Sequence, residues 1–177
     1  MAATGEALSW KGHAVGFRPH RGPQTRFLAL SCFEGLYGGA AGGGKSTAGV
    51  IGALRRVGKG FGRNYKALLL RREFPEIEST LLPEMEKYYP LLGGRYRQQK
   101  KYWIFPEGER IYLGHAQHLE DIKRYLGTEW QYVFFDELTT FERQQYIYAI
   151  SRLRSSHGIP VRIRSGTNPG RDRKSVV

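Results

Sequence analysis

A chain of 177 residues, 40% hydrophobic and 13% aromatic, is long enough for one domain with a real core and too apolar for intrinsic disorder. Its single cysteine, Cys32, excludes an internal disulfide and offers no zinc pattern, and no apolar run reaches membrane-spanning length. A formal net charge of +12 favours a polyanionic partner, with nucleic acid ahead of a membrane surface and a merely solvated basic surface as the alternative.

Residues 1–22 are rich in Gly, His and Arg, lack the apolar core of a signal peptide and read as an irregular lead-in. Gly22-Pro23-Gln24-Thr25 then opens an apolar stretch, 26–30, with helical character. Gln24 carries both a donor and an acceptor and can pair with an adenine edge. A surface glutamine near a helix start explains it equally well. Residues 33–37 suit a short strand, and 46–57 a helix with Val50, Ile51 and Leu54 on one face.

Between that strand and helix lies Gly39-Ala40-Ala41-Gly42-Gly43-Gly44-Lys45-Ser46-Thr47, in which G-x-x-x-x-G-K-S is the pattern of a phosphate-binding loop. Glycines let the backbone wrap around phosphate oxygens with its N–H groups pointing inward. Lys45 can reach the β- and γ-phosphates, the Ser46 hydroxyl can ligate Mg²⁺, and the N-terminus of the following helix favours an anion. Strand, loop and helix occur in the required order, so the expected ligand is a nucleoside triphosphate with Mg²⁺.

A basic, glycine-rich turn, 58–64, leads to an apolar strand at 66–70 that ends in Arg71-Arg72. In open α/β sheets ligands sit at the carboxyl ends of strands, so either arginine can face nucleotide or nucleic acid. A surface ion pair is the competing role. Residues 75–89 have helical spacing, and 102–105 and 110–113 flank Pro106-Glu107-Gly108-Glu109 as a hairpin. Lys100, Lys101, Tyr102 and Trp103 mix cations with aromatics, for which edge-strand packing is a better explanation than base stacking. His115 and His118, near Glu120 and Asp121, form only a weak metal pattern, and 119–126 reads as a short helix.

Tyr132-Val133-Phe134-Phe135 is apolar enough for a strand buried on both faces, and it delivers Asp136-Glu137 to its carboxyl end. Downstream of a phosphate loop, Asp136 suits the Mg²⁺-holding Walker B role and Glu137 the general base that polarises water. A helix within 141–153 and an alternating strand at 161–166 follow. The strand ends in Thr167-Asn168-Pro169-Gly170, either a plain turn or a γ-phosphate sensor that couples hydrolysis to movement.

In this order the motifs resemble those of the large subunit of tailed-phage terminases, over roughly residues 20–170. Gly22-Pro23-Gln24 resembles its adenine segment and Tyr37 to Ser46 its Walker A loop. Leu70-Arg71-Arg72-Glu73-Phe74-Pro75-Glu76 resembles its arginine-bearing second strand, and Phe105-Pro106-Glu107-Gly108 its hairpin. Tyr125-Leu126-Gly127-Thr128-Glu129 resembles the segment before Walker B, and Asp136-Glu137-Leu138-Thr139 Walker B itself. Thr167-Asn168-Pro169-Gly170 resembles the coupling motif.

The resemblance implies an ASCE-type P-loop ATPase, α/β with a mainly parallel central sheet flanked by helices, plus the β-hairpin. It implies a motor that packages double-stranded DNA into a procapsid as a homo-oligomeric ring on a portal protein, with a terminase small subunit, in the cytoplasm of the infected host cell. It also implies a trans-acting arginine, for which Arg124 is the first candidate and Arg71, Arg72 and Arg154 follow. The expected division is a lead-in at 1–22 and an incomplete ATPase domain at 23–170. A non-native tail at 171–177 is expected to follow, since Asp172-Arg173-Lys174-Ser175-Val176-Val177 matches a translated sequencing adapter. On this expectation the chain is C-terminally truncated and lacks the family's nuclease. A helicase-like DNA motor and an inactive nucleic-acid-binding fragment are the rival readings.

Overall fold

The structure, a computed structural model, describes residues 9–10, 13–14 and 16–168. Within the stretch read as an irregular lead-in, β1 (Ser9–Trp10) and β2 (His13–Ala14) pair as a small antiparallel ladder. Two-residue strands are too short to leave an alternation in the sequence.

A second, seven-stranded sheet organises the rest. Its strands are β3 (Glu34–Gly38), β4 (Lys66–Arg71), β5 (Arg95–Arg97), β6 (Tyr102–Ile104), β7 (Arg110–His115), β8 (Tyr132–Asp136) and β9 (Arg162–Thr167). They lie in the order β3-β9-β8-β4-β7-β6-β5. The five from β3 to β7 are mutually parallel, and β6 and β5 add an antiparallel hairpin at one edge. β9 stands between the strand that leads into the phosphate loop and the strand that ends at Asp136, as the ASCE arrangement requires.

The helices are α1 (Pro23–Ala29), α2 (Lys45–Leu54), α3, α4 (Leu119–Lys123) and α5 (Arg143–Ile150). α3 is a composite of Phe74–Glu76, a π-helical turn Ile77–Leu81, and Leu82–Tyr88. Pro83 has no N–H to give to the carbonyl four residues back, and its ring crowds that carbonyl. The wider π turn immediately upstream absorbs the mismatch.

Every residue of β8 is buried, which is why its sequence is an unbroken apolar run. Phe134 faces a core built with Ile51, Leu54, Leu81 and Met85 of α2 and α3, while Val133 and Phe135 face one built with Ile122 and Ala149 of α4 and α5. β4 divides in the same way, Leu69 toward the first core and Leu68 and Leu70 toward the second.

α2 is fixed with unusual closeness. Gly49 and Gly52 lie against Phe134 and Tyr132, where a Cβ would come within 2.2 and 2.4 Å of ring and hydroxyl atoms. Three buried tyrosine hydroxyls donate to its carbonyls: Tyr132 to Gly49 at 3.1 Å, Tyr89 to Val50 at 3.0 Å and Tyr65 to Ala53 at 2.7 Å. Burial pushes the ionisation of all three phenols upward, so they remain donors. The helix that carries the phosphate loop is thereby held to the sheet and to α3.

Candidate active site

The parallel strands bring Gly38, Arg71, Asp136 and Thr167 to one edge of the sheet, the carboxyl edge where α/β proteins bind ligands. The loop leaves β3 at Gly38 and enters α2 at Lys45, with residues 40–43 exposed. Gly44 adopts φ 70°, and a Cβ there would meet the Gln24 amide at 2.4 Å, so both conformation and space call for glycine.

Side chains from outside the loop brace it. Tyr37 donates from its hydroxyl to the Gly43 carbonyl at 2.7 Å. Gln24, 1% exposed, donates to the Gly44 carbonyl at 2.8 Å and accepts from the His20 N–H at 2.7 Å. Both ends of the Gln24 amide are therefore engaged with backbone, where the sequence reading offered an adenine edge or a surface position. Thr47 turns its hydroxyl to Glu84 of α3 at 2.8 Å. Sequence reasoning placed Tyr37 at the start of the loop motif without a role for its hydroxyl, and missed Glu84. Tyr37, directly before the loop, could have been suspected from position, whereas Glu84 becomes a neighbour only through tertiary packing.

Lys45, 6% exposed, donates from Nζ to the carbonyls of Gly39 at 2.9 Å and Ala40 at 2.7 Å, which keeps its charge over the loop. Ser46 donates from Oγ to the Asp136 carboxylate, at 2.9 Å to Oδ1 and 3.1 Å to Oδ2. Residues 90 positions apart thus meet at one point. The hydroxyl and the carboxylate are both hard oxygen donors, the chemistry that suits Mg²⁺ held by few protein ligands and completed by phosphates.

Asp136, 1% exposed, also receives Arg71 Nε at 2.9 Å. The same guanidinium lies 3.7 Å from Glu76 and 3.9 Å from Glu137. Arg71 is thus the arginine among the carboxylates. Arg124 pairs instead with Asp121 at 3.0 Å on α4, its side chain 65% exposed. Arg72 donates to the Thr140 carbonyl, and Arg154 pairs with Glu129 at 3.2 Å.

Glu137 follows β8 with φ 60° and ψ 58°, a left-handed conformation uncommon for a residue with a side chain. Asn168, just beyond β9, donates from Nδ2 to Glu137 Oε1 at 2.7 Å. Thr167 donates from Oγ1 to the Thr139 hydroxyl at 3.2 Å. The two residues read as a coupling pair therefore touch the segment that carries Asp136 and Glu137. Pro169, Gly170 and residues 171–177 lie outside the described residues.

His115 and His118 do not form a metal centre: His118 caps α4, its N–H bonded to Asp121 at 2.9 Å, and His115 packs edge-on against Phe74. Among the described residues no three His, Cys, Asp or Glu side chains gather as metal ligands. Trp103 is buried between Tyr89 and Tyr96, so the hairpin aromatics are packing residues there.

A family model described as terminase large subunit, T4likevirus-type, N-terminal, matches residues 36–176. Among curated proteins none matches the chain. Several solved structures are similar. The large terminase of a thermophilic bacteriophage superposes with a TM-score of 0.67 at 13% identity, over 86% of this chain and 40% of that one. The large terminase ATPase domain of Thermus phage P74-26 gives 0.60 at 10% identity, over 89% and 68%. The N-terminal domain of the DNA packaging ATPase from bacteriophage phi29 gives 0.58 at 16% identity, over 82% and 77%. At these identities the likeness shows the fold. The chain spans 40% of the length of the first of these proteins.

Proposed function

The chain belongs to the terminase large subunit family, and from that premise we propose that it is the ATP-hydrolysing motor domain that drives double-stranded DNA into a procapsid. One observation carries this reading: the Ser46 hydroxyl and the Asp136 carboxylate meet beneath the phosphate loop, with Glu137 and Asn168 beside them. The related thermophilic-phage protein has been solved in complex with ADP and with ATP-gamma-S, which supports a nucleotide at this edge of the fold.

In the proposed mechanism the backbone of residues 39–44 cradles the triphosphate. Lys45 exchanges the Gly39 and Ala40 carbonyls for β- and γ-phosphate oxygens. Thr47 lies in the same first turn and remains tied to Glu84. Ser46 and Asp136 would hold Mg²⁺, which supplies charge neutralisation at the phosphates. Arg71 holds the Asp136 carboxylate toward Ser46 from within the same chain. Glu137 accepts the proton of the attacking water. Its carboxylate is oriented by Asn168, so Asn168 and Thr167 are placed to relay the state of the site to β9. Gln24 acts by holding the loop through Gly44.

Arg124 remains the proposed trans-acting residue, since its exposed side chain is open to a neighbouring subunit. Double-stranded DNA, the portal protein, the small subunit and a homo-oligomeric ring are the proposed partners, and the endonuclease belongs to the proposed full-length protein. No helix among the described residues is long and apolar enough to cross a membrane.

The test is Glu137→Gln in the full-length protein, with nucleotide binding and phosphate release measured separately. The substitution keeps the chain's shape and removes the base, so binding should persist while turnover falls by about 10²-fold or more. Turnover at the wild-type rate would remove Glu137 from the role.

A further inference from the structure

A second cluster of cations lies at the end of α2 remote from the phosphate loop. A cavity of about 130 Å³ opens there between α1, α2, β8 and β9. Arg55 and Arg56 from the end of α2 and Arg162 and Arg164 from β9 line it, with Phe27 and Tyr132 as apolar walls.

Three of these guanidiniums are tied to carbonyls, not carboxylates. Arg55 donates to Leu28, and Arg162 to Leu30 at 3.0 Å. Arg164, 4% exposed, donates to Leu30 at 2.9 Å, Cys32 at 3.1 Å, Phe33 at 3.2 Å and Ile163 at 2.7 Å. Among the described residues none of the four forms an ion pair. Arg162 Nε is buried and has no partner among them. Burial lowers the proton affinity of Arg55, Arg56 and Arg164, and the neighbouring arginines lower it further.

Guanidinium does not lose its proton at working pH. Four positive charges therefore share one small space with no counter-charge from the described protein. Carbonyls take up part of their hydrogen-bonding capacity but leave the mutual repulsion in place. The carbonyl end of α2 offers about half a negative charge, far less than four arginines present. At roughly 30 Å³ per water, the cavity has room for about four waters or one tetrahedral oxyanion. The planar fork of arginine matches phosphate oxygens.

We propose that this cavity is a second phosphate site, which takes one phosphate oxyanion against Arg55, Arg56 and Arg162, with Arg164 as the buried post that shapes it. The phosphate is either a phosphodiester of double-stranded DNA or a free anion. Arg55 and Arg56 lie at the far end of α2 from the phosphate loop, about 15 Å for its 10 residues, while the cavity wall runs back along the helix through Gly52 to Ala48. The site does not depend on the hydrolytic reading.

The test labels the chain with an arginine-selective dicarbonyl and reads each arginine by peptide mass spectrometry. Lys45→Ala is included so that the phosphate loop contributes no binding. Inorganic phosphate, a short DNA duplex, polyglutamate and chloride are compared at matched ionic strength. Phosphate should slow labelling of Arg55 and Arg56 relative to chloride and leave Arg95 and Arg97 on β5 unchanged. Stronger protection by the duplex than by phosphate assigns the phosphodiester, and protection by phosphate alone assigns the free anion. Protection by polyglutamate alone, or none, overturns the proposal. Arg56→Gln should weaken phosphate binding about tenfold, while Arg97→Gln, with the same loss of charge, should not. Equal weakening by both would reduce the site to diffuse charge and overturn the proposal. Because labelling is resolved by residue, it reads the cavity even if Lys45 proves unimportant to the loop.

Discussion

Glu137 is where local preference and site geometry conflict. Its left-handed backbone costs a residue with a Cβ roughly 1–2 kcal/mol. The hydrogen bond from Asn168 to its carboxylate is one of the contacts that hold it there. This conflict yields a stability prediction independent of turnover. Glu137→Ala and Glu137→Gly both lose the Asn168 contact, but only glycine is free of strain at φ 60°. The glycine variant should be the more stable by about 1 kcal/mol. At an ordinary strand end alanine would win. Urea denaturation of the two variants decides it, and a more stable alanine variant would show that the left-handed conformation is not kept in solution. Residue types at this site were legible in the sequence because phosphate and Mg²⁺ chemistry demands them. Gln24 was legible as important but not in its contact. A glutamine amide can bind a base edge or a backbone equally well, and only the fold puts Gly44 within its reach.

Among the elements, α2 and β8 were readable because both are nearly uniform in environment. β8 is apolar throughout since every residue is buried. β5 was missed because Arg95-Tyr96-Arg97 has no apolar pattern, and its pairing to β6 places two of its three residues in solvent. β9 was readable as an alternating strand, but the alternation did not show where its arginines lie. Arg164 is buried, made tolerable by carbonyls of the 30–33 segment. The packing of α2 on β8 yields a prediction opposite in sign to helix propensity. Gly49→Ala would gain up to about 1 kcal/mol in an isolated helix. Here the new Cβ would meet the Phe134 ring at 2.2–2.4 Å, and Phe134 is fully buried. Overpacking of this kind costs roughly 1–3 kcal/mol, so the variant should melt below wild type. Phe134→Leu combined with Gly49→Ala should recover part of the loss, as expected when two changes share one contact. A stabilised Gly49→Ala would mean that α2 can slide on the sheet.

For the whole molecule, the order of strands was the least legible feature. β9 pairs with β3 on one side and β8 on the other, so Glu34 lies opposite Ile163, and Asp136 opposite Gly166. No local pattern encodes partners so far apart in sequence; they follow from crossover connections that place one strand beside another. That same topology makes the site a property of the entire sheet. Gly38, Arg71, Asp136 and Thr167 end four different strands, and α2 is pinned to the sheet and to α3 by three tyrosines. A ligand held at this edge should therefore stabilise the whole domain cooperatively. At about 100 times its dissociation constant, ATP with Mg²⁺ would add roughly 2.7 kcal/mol. For a domain of this size that corresponds to a rise in melting temperature of roughly 5–10 °C. Lys45→Ala should abolish the rise, whereas Glu137→Gln should retain it, because only the first touches phosphate charge directly. Calorimetry with a non-hydrolysable analogue separates this binding from turnover. A rise that survives Lys45→Ala would place the nucleotide elsewhere on the molecule.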